Sequence, residues 1–264
     1  MKPLHIIVCV KPVPDFRSPV EFDQKTKTVK RGNVATVINP LDKNALEAAL
    51  QLKESFGGKV TALSMAPPFA ESVLREVLAF GADEAFLLSD PAFAGSDTLA
   101  TAYVLAQGVK KIRDFDLVIT GAASTDGNTA QVGPQVAEHL GLPHASFVTQ
   151  VKRHSEHSLE LTLKTEEGTI LAEIDLPALI TVSREINEPR TLGLFGIAAA
   201  AAKPLHILGS SDLEVDPERV GEKGSPTRIA DIREVSFARK SELHEGTPEA
   251  ISLLVKKFRE WGVI

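Results

Sequence analysis

Four short, almost wholly apolar runs limit what this chain can fold into: residues 4–10 (LHIIVCV), 59–65 (KVTALSM), 85–88 (AFLL) and 116–120 (DLVIT). A strand with one wet face alternates apolar and polar residues. A nearly continuous apolar run marks a strand buried on both faces of a parallel sheet. Between the runs, residues 45–54, 70–80 and 97–111 carry apolar residues in helical rhythm. Strands alternating with helices of this length predict βαβ units and an α/β fold with a doubly wound, mostly parallel, Rossmann-like sheet. Right-handed crossovers then bring the carboxyl ends of the strands to one edge, where such folds bind nucleotides.

The pattern changes after Gly141. Residues 147–151, 159–164 and 170–174 read as an antiparallel meander with polar turns, and 178–182 as one more apolar strand. The expected organisation is a nucleotide-binding α/β domain over 1–190, then a partner-recognition loop and an extended C-terminal arm over 191–264. Residues 195–202 end in five alanines, and 210–226 are polar with few core candidates. Ile251, Leu254, Val255 and Phe258 fall on one face of a terminal helix over 248–261, which needs a surface to dock on. Residues 16–37 are polar and basic, a hairpin or excursion.

Composition excludes several classes. With 264 residues, 43% hydrophobic, the chain can bury one sizeable core plus extras, or two small ones. A net charge of −6 argues against a broad nucleic-acid-binding face. One cysteine, Cys9, leaves no internal disulfide or cysteine-based metal site, and the seven histidines lack ligand spacing, so no metal is expected. No apolar run approaches the ~20 residues that span a bilayer. Lys2 precedes too short an apolar core for a signal peptide. The expectation is a cytoplasmic protein without membrane insertion.

Residues 116–134 (DLVITGAASTDGNTAQVGP) carry the chemistry. A strand closes at Gly121, small and polar residues follow, and a helix is expected to begin near 131–134, with Pro134 in its first turn. The amides of 127–131 would lack intrahelical partners and could face an anion. The plainer alternative is a capped turn with Gly127 at positive φ. The other strand ends deliver Cys9, Val10, Lys11 and Pro12; Asn39, Leu41 and Asp42; Met65; and Asp97, Thr98 and Thr101. With Gly121, Thr125, Asp126, Gly127, Asn128, Thr129, Ala130, Gln131, Val132 and Gly133 they form the candidate nucleotide site. Asp42 is expected as a helix N-cap, and Asp42 or Asp126 as a ribose acceptor. The chain has no Walker A motif, no GxGxxG and no GxSxG elbow. The edge is built to bind a nucleotide rather than to cut one, and no catalytic residue is assigned.

Seven segments together resemble the beta (small) subunit of electron-transfer flavoproteins: CVKPVPD (9–15), NPLDKNALEAAL (39–50), LREVLAFGADEAFLL (74–88), DGNTAQVGP (126–134), LPALITVSREINEPR (176–190), GSPT (224–227) and the closing EGTPEAISLLVKKFREWGVI. They run in order over essentially the whole chain. The resemblance implies a heterodimer with a larger alpha subunit that holds one FAD, and an adenine nucleotide in this chain. That nucleotide is FAD in the electron-bifurcating branch, where it accepts a hydride from NADH, or structural AMP in simple carriers. Residues 90–103 (DPAFAGSDTLATAY) resemble the bifurcating branch, with Pro91 in place of its usual Arg and Asn128 in place of its second Asp. NADH-oxidising activity is implied only for that branch.

A universal-stress-type nucleotide sensor would be shorter and lack the meander, and an adenylating enzyme would need an ATP loop. The family docks on acyl-CoA dehydrogenases through a leucine after its NEPR segment, and Leu194 falls there. Gly193 and Gly196 flank Leu194 and Phe195, so two large apolar side chains are expected on a hairpin-like tip.

Overall fold

The computed structural model describes residues 2–15, 22–23, 28–29, 35–230 and 241–264. Most of the excursion expected over 16–37 lies outside them. The first compact unit runs from Met1 to Ala230 and the second from Asp231 to Ile264.

The first unit begins with β1 (Leu4–Cys9), β2 (Pro12–Pro14), the short pair β3 (Phe22–Asp23) and β4 (Thr28–Val29), β5 (Thr36–Ile38) and α1 (Pro40–Phe56). It continues with β6 (Gly58–Met65), α2 (Glu71–Phe80), β7 (Glu84–Leu88), α3 (Thr98–Ile112), β8 (Leu117–Gly121) and α4 (Val132–Leu140). The meander follows as β9 (His144–Arg153), β10 (Ser158–Thr165) and β11 (Gly168–Asp175), then β12 (Ala178–Val182), α5 (Leu194–Ala200), β13 (Leu205–Leu208) and α6 (Ser210–Leu213). The second unit carries α7 (Pro248–Glu260).

Nine strands form one sheet in the order β11-β10-β9-β12-β8-β1-β6-β7-β13. Strands β9, β12, β8, β1, β6, β7 and β13 run parallel, and β10 and β11 join antiparallel at one side. This is the expected doubly wound α/β fold with its meander.

Strand β1 shows why a continuous apolar run was needed. Ile6 and Val8 enter the core beneath α1 and α2, while Ile7 and Cys9 enter the core beneath α3 and α4. Fully burying such side chains is worth about 1.5–3 kcal/mol each, so a polar residue at any of these positions would open one of the two layers. Helix α1 starts at Pro40 and ends at Phe56, stopped by Gly57 with its φ of 75°.

The 205–225 segment departs from the arm expected over 191–264. Leu205–Leu208 pairs with Ala85–Leu88 as the last parallel strand of the sheet. The polar stretch after it is held by hydrogen bonds more than by apolar burial. Ser210 donates its N–H and Oγ–H to Asp90 Oδ2 at 2.9 and 2.7 Å, and Asp216 donates its N–H to the Tyr103 hydroxyl at 3.0 Å. Leu213 and Val220 supply two buried anchors on the α3 side.

Helix α7 is capped by Thr247, whose side chain accepts from the Ala250 N–H. Ile251, Leu254, Val255 and Trp261 are exposed. Among the described residues no helix is long and apolar enough to cross a membrane.

Candidate nucleotide site

The chain reverses direction across the sheet at β1. It moves from β1 through β6 to β7 on one side, then returns through α3 to β8 on the other. The crevice at the carboxyl ends of β1 and β8 is therefore a topological switch point, where this fold class binds its ligands.

Side chains join the loops around that crevice. The Asn39 Nδ2–H donates to the Ala123 carbonyl at 2.9 Å, and the Thr125 N–H donates to Asn39 Oδ1 at 3.1 Å. Lys11 Nζ donates to Asp126 Oδ1 at 2.6 Å and to Ser124 Oγ at 3.4 Å. Thr98 Oγ–H donates to Gln131 Oε1 at 3.0 Å, bringing the first turn of α3 to the start of α4. Loops separated by up to 115 positions in sequence thus share one edge.

Asp42 differs from expectation in place and role. The helix begins three residues earlier, with Asn39 as its N-cap and Pro40 in its first turn. Asp42 is buried; its Oδ2 accepts the Lys11 N–H at 2.7 Å and its Oδ1 the Gly121 N–H at 3.1 Å. Both oxygens accept backbone N–H groups that close the β1 and β8 ends. Burial pushes the Asp42 carboxyl up to about 7, against the pull of the Lys11, Asn39 and Gly121 hydrogen bonds. Burial, with Asp42 adding to it, pushes the Cys9 thiol up to about 12. Cys9 and Val10 are buried on opposite faces of the sheet, so they offer the crevice backbone only.

The loop after β8 has the backbone geometry of an anion cradle. Asn128 and Ala130 have φ of 47° and 53°, and the N–H groups of Thr129, Ala130, Gln131, Val132 and Gly133 donate to nothing among the described residues. Left-handed residues alternating with ordinary ones turn successive N–H groups into one concavity, and here a helix start adds its dipole. Gly127 is not at positive φ; Asn128 takes the left-handed conformation, which asparagine tolerates. A Cβ at Gly127 would stand 3.5 Å from Ser124 Oγ, an ordinary contact. The tight glycine is Gly133, where a Cβ would stand 2.5 Å from Thr181 Cγ2.

Asp126 is drawn up by burial, but the Lys11 ammonium more than offsets this and holds its carboxyl below the usual range. Asp97 caps α3, its Oδ1 accepting from the Leu99 and Ala100 N–H groups at 3.0 and 3.1 Å. Its Oδ2 accepts from the Thr227 N–H and Oγ–H at 3.0 and 2.8 Å. Asp97 therefore organises the edge, and Thr98 is the α3 residue that reaches the cradle. Thr101 is half-buried on α3, and Met65 is partly buried against the α3-side core at the end of β6. Leu41 and Pro12 are partly buried beside Asp42 and Lys11 in sequence. Thr227 and Ser225 were not assigned to the edge from sequence, although the GSPT segment contains both. Among the described residues no group of three or more His, Cys, Asp or Glu side chains is arranged for a metal.

A committed buried acid at a switch point, five free amides and a cation-held carboxylate fit a phosphate-bearing nucleotide. The family comparison agrees in kind: the sequence model of the electron transfer flavoprotein domain matches residues 26–213. The chain belongs to the electron transfer flavoprotein family.

Its relatives in that family are similar over most or all of their lengths. The electron transfer flavoprotein subunit beta of Thermoanaerobacterium thermosaccharolyticum is 43% identical over 263 residues, 99% of this chain and 100% of the relative. The caffeyl-CoA reductase-Etf complex subunit CarD of Acetobacterium woodii is 41% identical over 266 residues, again 99% and 100% of the two chains. The acryloyl-CoA reductase electron transfer subunit gamma of Anaerotignum propionicum is 39% identical over 233 residues, 86% of each.

The segment that follows the NEPR residues in this flavoprotein chain is helical rather than a hairpin-like tip. Leu194 and Phe195 open α5 after Gly193 and are 83% and 93% exposed, so they do not fill the chain's own core. Gly196 seats the helix: a Cβ there would stand 2.3 Å from the Ala79 carbonyl oxygen.

Proposed function

We propose that this chain is the small subunit of a heterodimeric electron carrier, holding FAD in the crevice between β1 and β8. The carrier takes electrons from NADH, by flavin-based bifurcation, and delivers them to partner flavoenzymes of the acyl-CoA dehydrogenase type. One observation carries the choice of nucleotide. The cradle of free amides at Thr129–Gly133 is joined by Thr98 and Gln131 to a second helix start, that of α3. Asp97 takes the Leu99 and Ala100 N–H groups, so what α3 offers the edge is the Thr98 hydroxyl. A cradle of free amides with that hydroxyl beside it suits two phosphates in line, whereas AMP presents one. The names of the relatives from Acetobacterium woodii and Anaerotignum propionicum, a caffeyl-CoA reductase complex and an acryloyl-CoA reductase, favour partners that act on CoA esters.

Within this reading the residues have distinct tasks. The amides of 129–133 bind phosphate oxygens, and Asp126, fixed by Lys11, accepts from ribose. Asp42 keeps the walls together from beneath. A bound FAD would supply hydride acceptance and one-electron chemistry, while this chain sets its position and its access to water. Asn128 keeps the loop's left-handed turn, so the missing second Asp does not disturb the cradle. Pro91 opens a single turn, Pro91–Phe93, capped by Asp90.

Leu194 and Phe195 dock the partner flavoenzyme, and α7 docks the alpha subunit through its exposed apolar face in the cytoplasm. Exposed side chains of this size cost roughly 1.5–3 kcal/mol each relative to burial, and filling a partner pocket recovers that cost. Anaerobic mixing of the complex with NADH tests the proposal. Flavin absorbance should bleach without any added dehydrogenase. Absorbance that changes only after a dehydrogenase and its substrate are supplied contradicts it.

A further inference from the structure

We infer that Arg190, forked between Glu47 and Glu54 of α1, is the positioning residue that mounts the exposed Leu194–Phe195 pair for docking. The inference rests on the reading of that pair as the partner contact. The Arg190 Nε–H donates to Glu47 Oε2 at 2.7 Å, and Nη2 reaches Glu47 Oε1 at 3.1 Å. Nη1 and Nη2 meet the two oxygens of Glu54 at 2.6 and 3.2 Å, and the Arg190 backbone N–H adds a bond to Glu47 Oε2 at 3.2 Å. A guanidinium can serve two carboxylates at once in fixed geometry; a lysine cannot. Glu47 is only 5% exposed, and a buried carboxylate without its cation is costly, so the fork holds firmly.

The segment leading to Arg190 is fixed to the same helix. Asn44 Nδ2 donates to the Asn187 carbonyl at 2.9 Å, and Asn187 Nδ2 donates to the Asn44 carbonyl at 3.0 Å. Beyond Arg190, Thr191, Leu192 and Gly193 are exposed, and among the described residues no side-chain hydrogen bond ties them down before α5 begins. At the far end, Arg75 Nη1 donates to the carbonyls of Ala200 and Lys203 at 3.2 and 2.9 Å. Lys203 Nζ in turn donates to the carbonyls of Leu78 and Ala82 at 2.9 and 2.7 Å. Helix α5 is thus bolted to α2 behind the apolar pair, and Arg190 is the fixture in front of it. The N-terminus of α1 carries Asn39 and Asp42 at the crevice, so one helix aligns both the nucleotide edge and the docking pair. A rigid mount lowers the ordering cost of docking and fixes the approach of the partner.

The test uses the complex of this chain with its alpha subunit, and a short-chain acyl-CoA dehydrogenase that the complex reduces. Arg190→Ala should raise KM for the dehydrogenase about tenfold with kcat changed less than about twofold, the sign of lost uniform binding. Amides of 192–200 should exchange at least about tenfold faster with deuterium, reporting local release without global unfolding. Arg190→Lys should fall between. Because Arg190 acts through Leu194, the double variant Arg190→Ala/Leu194→Ala should be no worse than Leu194→Ala alone. If Arg190→Ala does not fold, Glu54→Gln should shift exchange and KM the same way by less. Unchanged exchange and KM in these variants, while Leu194→Ala raises KM, overturn the inference; so does full additivity in the double variant. An unchanged KM in Leu194→Ala overturns the docking reading instead.

Discussion

Asp42 and Gly121 fit each other closely: the Gly121 N–H donates to Asp42 Oδ1 at 3.1 Å, and a Cβ at Gly121 would stand 2.4 Å from that same oxygen. No side chain can be added at 121 without moving the acid that joins β1 to β8. Gly121→Ala should therefore destabilise the protein by about 1–3 kcal/mol through overpacking. Gly127→Ala, where the added Cβ makes only ordinary contacts, should leave the midpoint of thermal unfolding within a degree or two of wild type, for ~0.5 kcal/mol or less. Equal midpoints for the two variants would contradict this assignment.

Asp42 also gives stability a distinctive pH dependence. Its carboxyl rises from an ordinary 3.8 to about 7 in the folded chain. A group with a raised folded pKa is fully stabilising below its unfolded value, and that contribution is lost as pH climbs through the folded one. Asp42 should therefore erode stability between pH 4 and 7. The lowered carboxyls of Asp97, Asp126 and Glu47 act in the opposite sense, and in a more acidic window. Asp42→Asn should flatten the decline between pH 4 and 7. Thermal midpoints measured across that range, parallel in wild type and variant, would exclude Asp42 as the source.

Lys11 separates binding from folding. Its bond to Asp126 lies at the surface, with the Lys11 side chain 47% exposed, and such pairs contribute about 0–1 kcal/mol to stability. Lys11→Met should leave the melting curve nearly unchanged while nucleotide retention after gel filtration falls. A variant that melts early with full nucleotide content would point to a structural role.

Truncation locates the arm. Ending the chain after Ala230 keeps β13 and the Asp97–Thr227 bonds, so the first unit should stay soluble and keep its nucleotide while losing the alpha subunit. Ending it after Lys203 removes the strand paired with β7 and should yield insoluble protein. A heterodimer that survives removal of 231–264 would remove the arm from the interface.

The sheet was legible because buried parallel strands need runs such as LHIIVCV. The free amides were legible only in part, since the expected stretch 127–131 shifts to 129–133. The Gly127 N–H goes to Asp126 and Ser124 and the Asn128 N–H to the Ser124 carbonyl, contacts that the order of a strand, small residues and Pro134 does not reveal. Strand β13 was not legible. Its four residues sit at the sheet's edge, and the polar stretch after it is fixed by Asp90 and Tyr103, which lie more than a hundred positions earlier. The roles of Asp42 and Asp97 were hidden for a related reason. An acid at a helix start reads as a cap or a ligand, and only the fold shows that the N–H groups of Lys11 and Gly121 claim the first and Thr227 the second. The Arg190 fork joins positions 136 and 143 apart, beyond any local pattern.

The central claim is that this crevice holds a dinucleotide. Denaturing the purified heterodimer, filtering off the protein and quantifying the released nucleotides tests it directly. Two FAD and no AMP per heterodimer is the predicted result; one FAD and one AMP would contradict it.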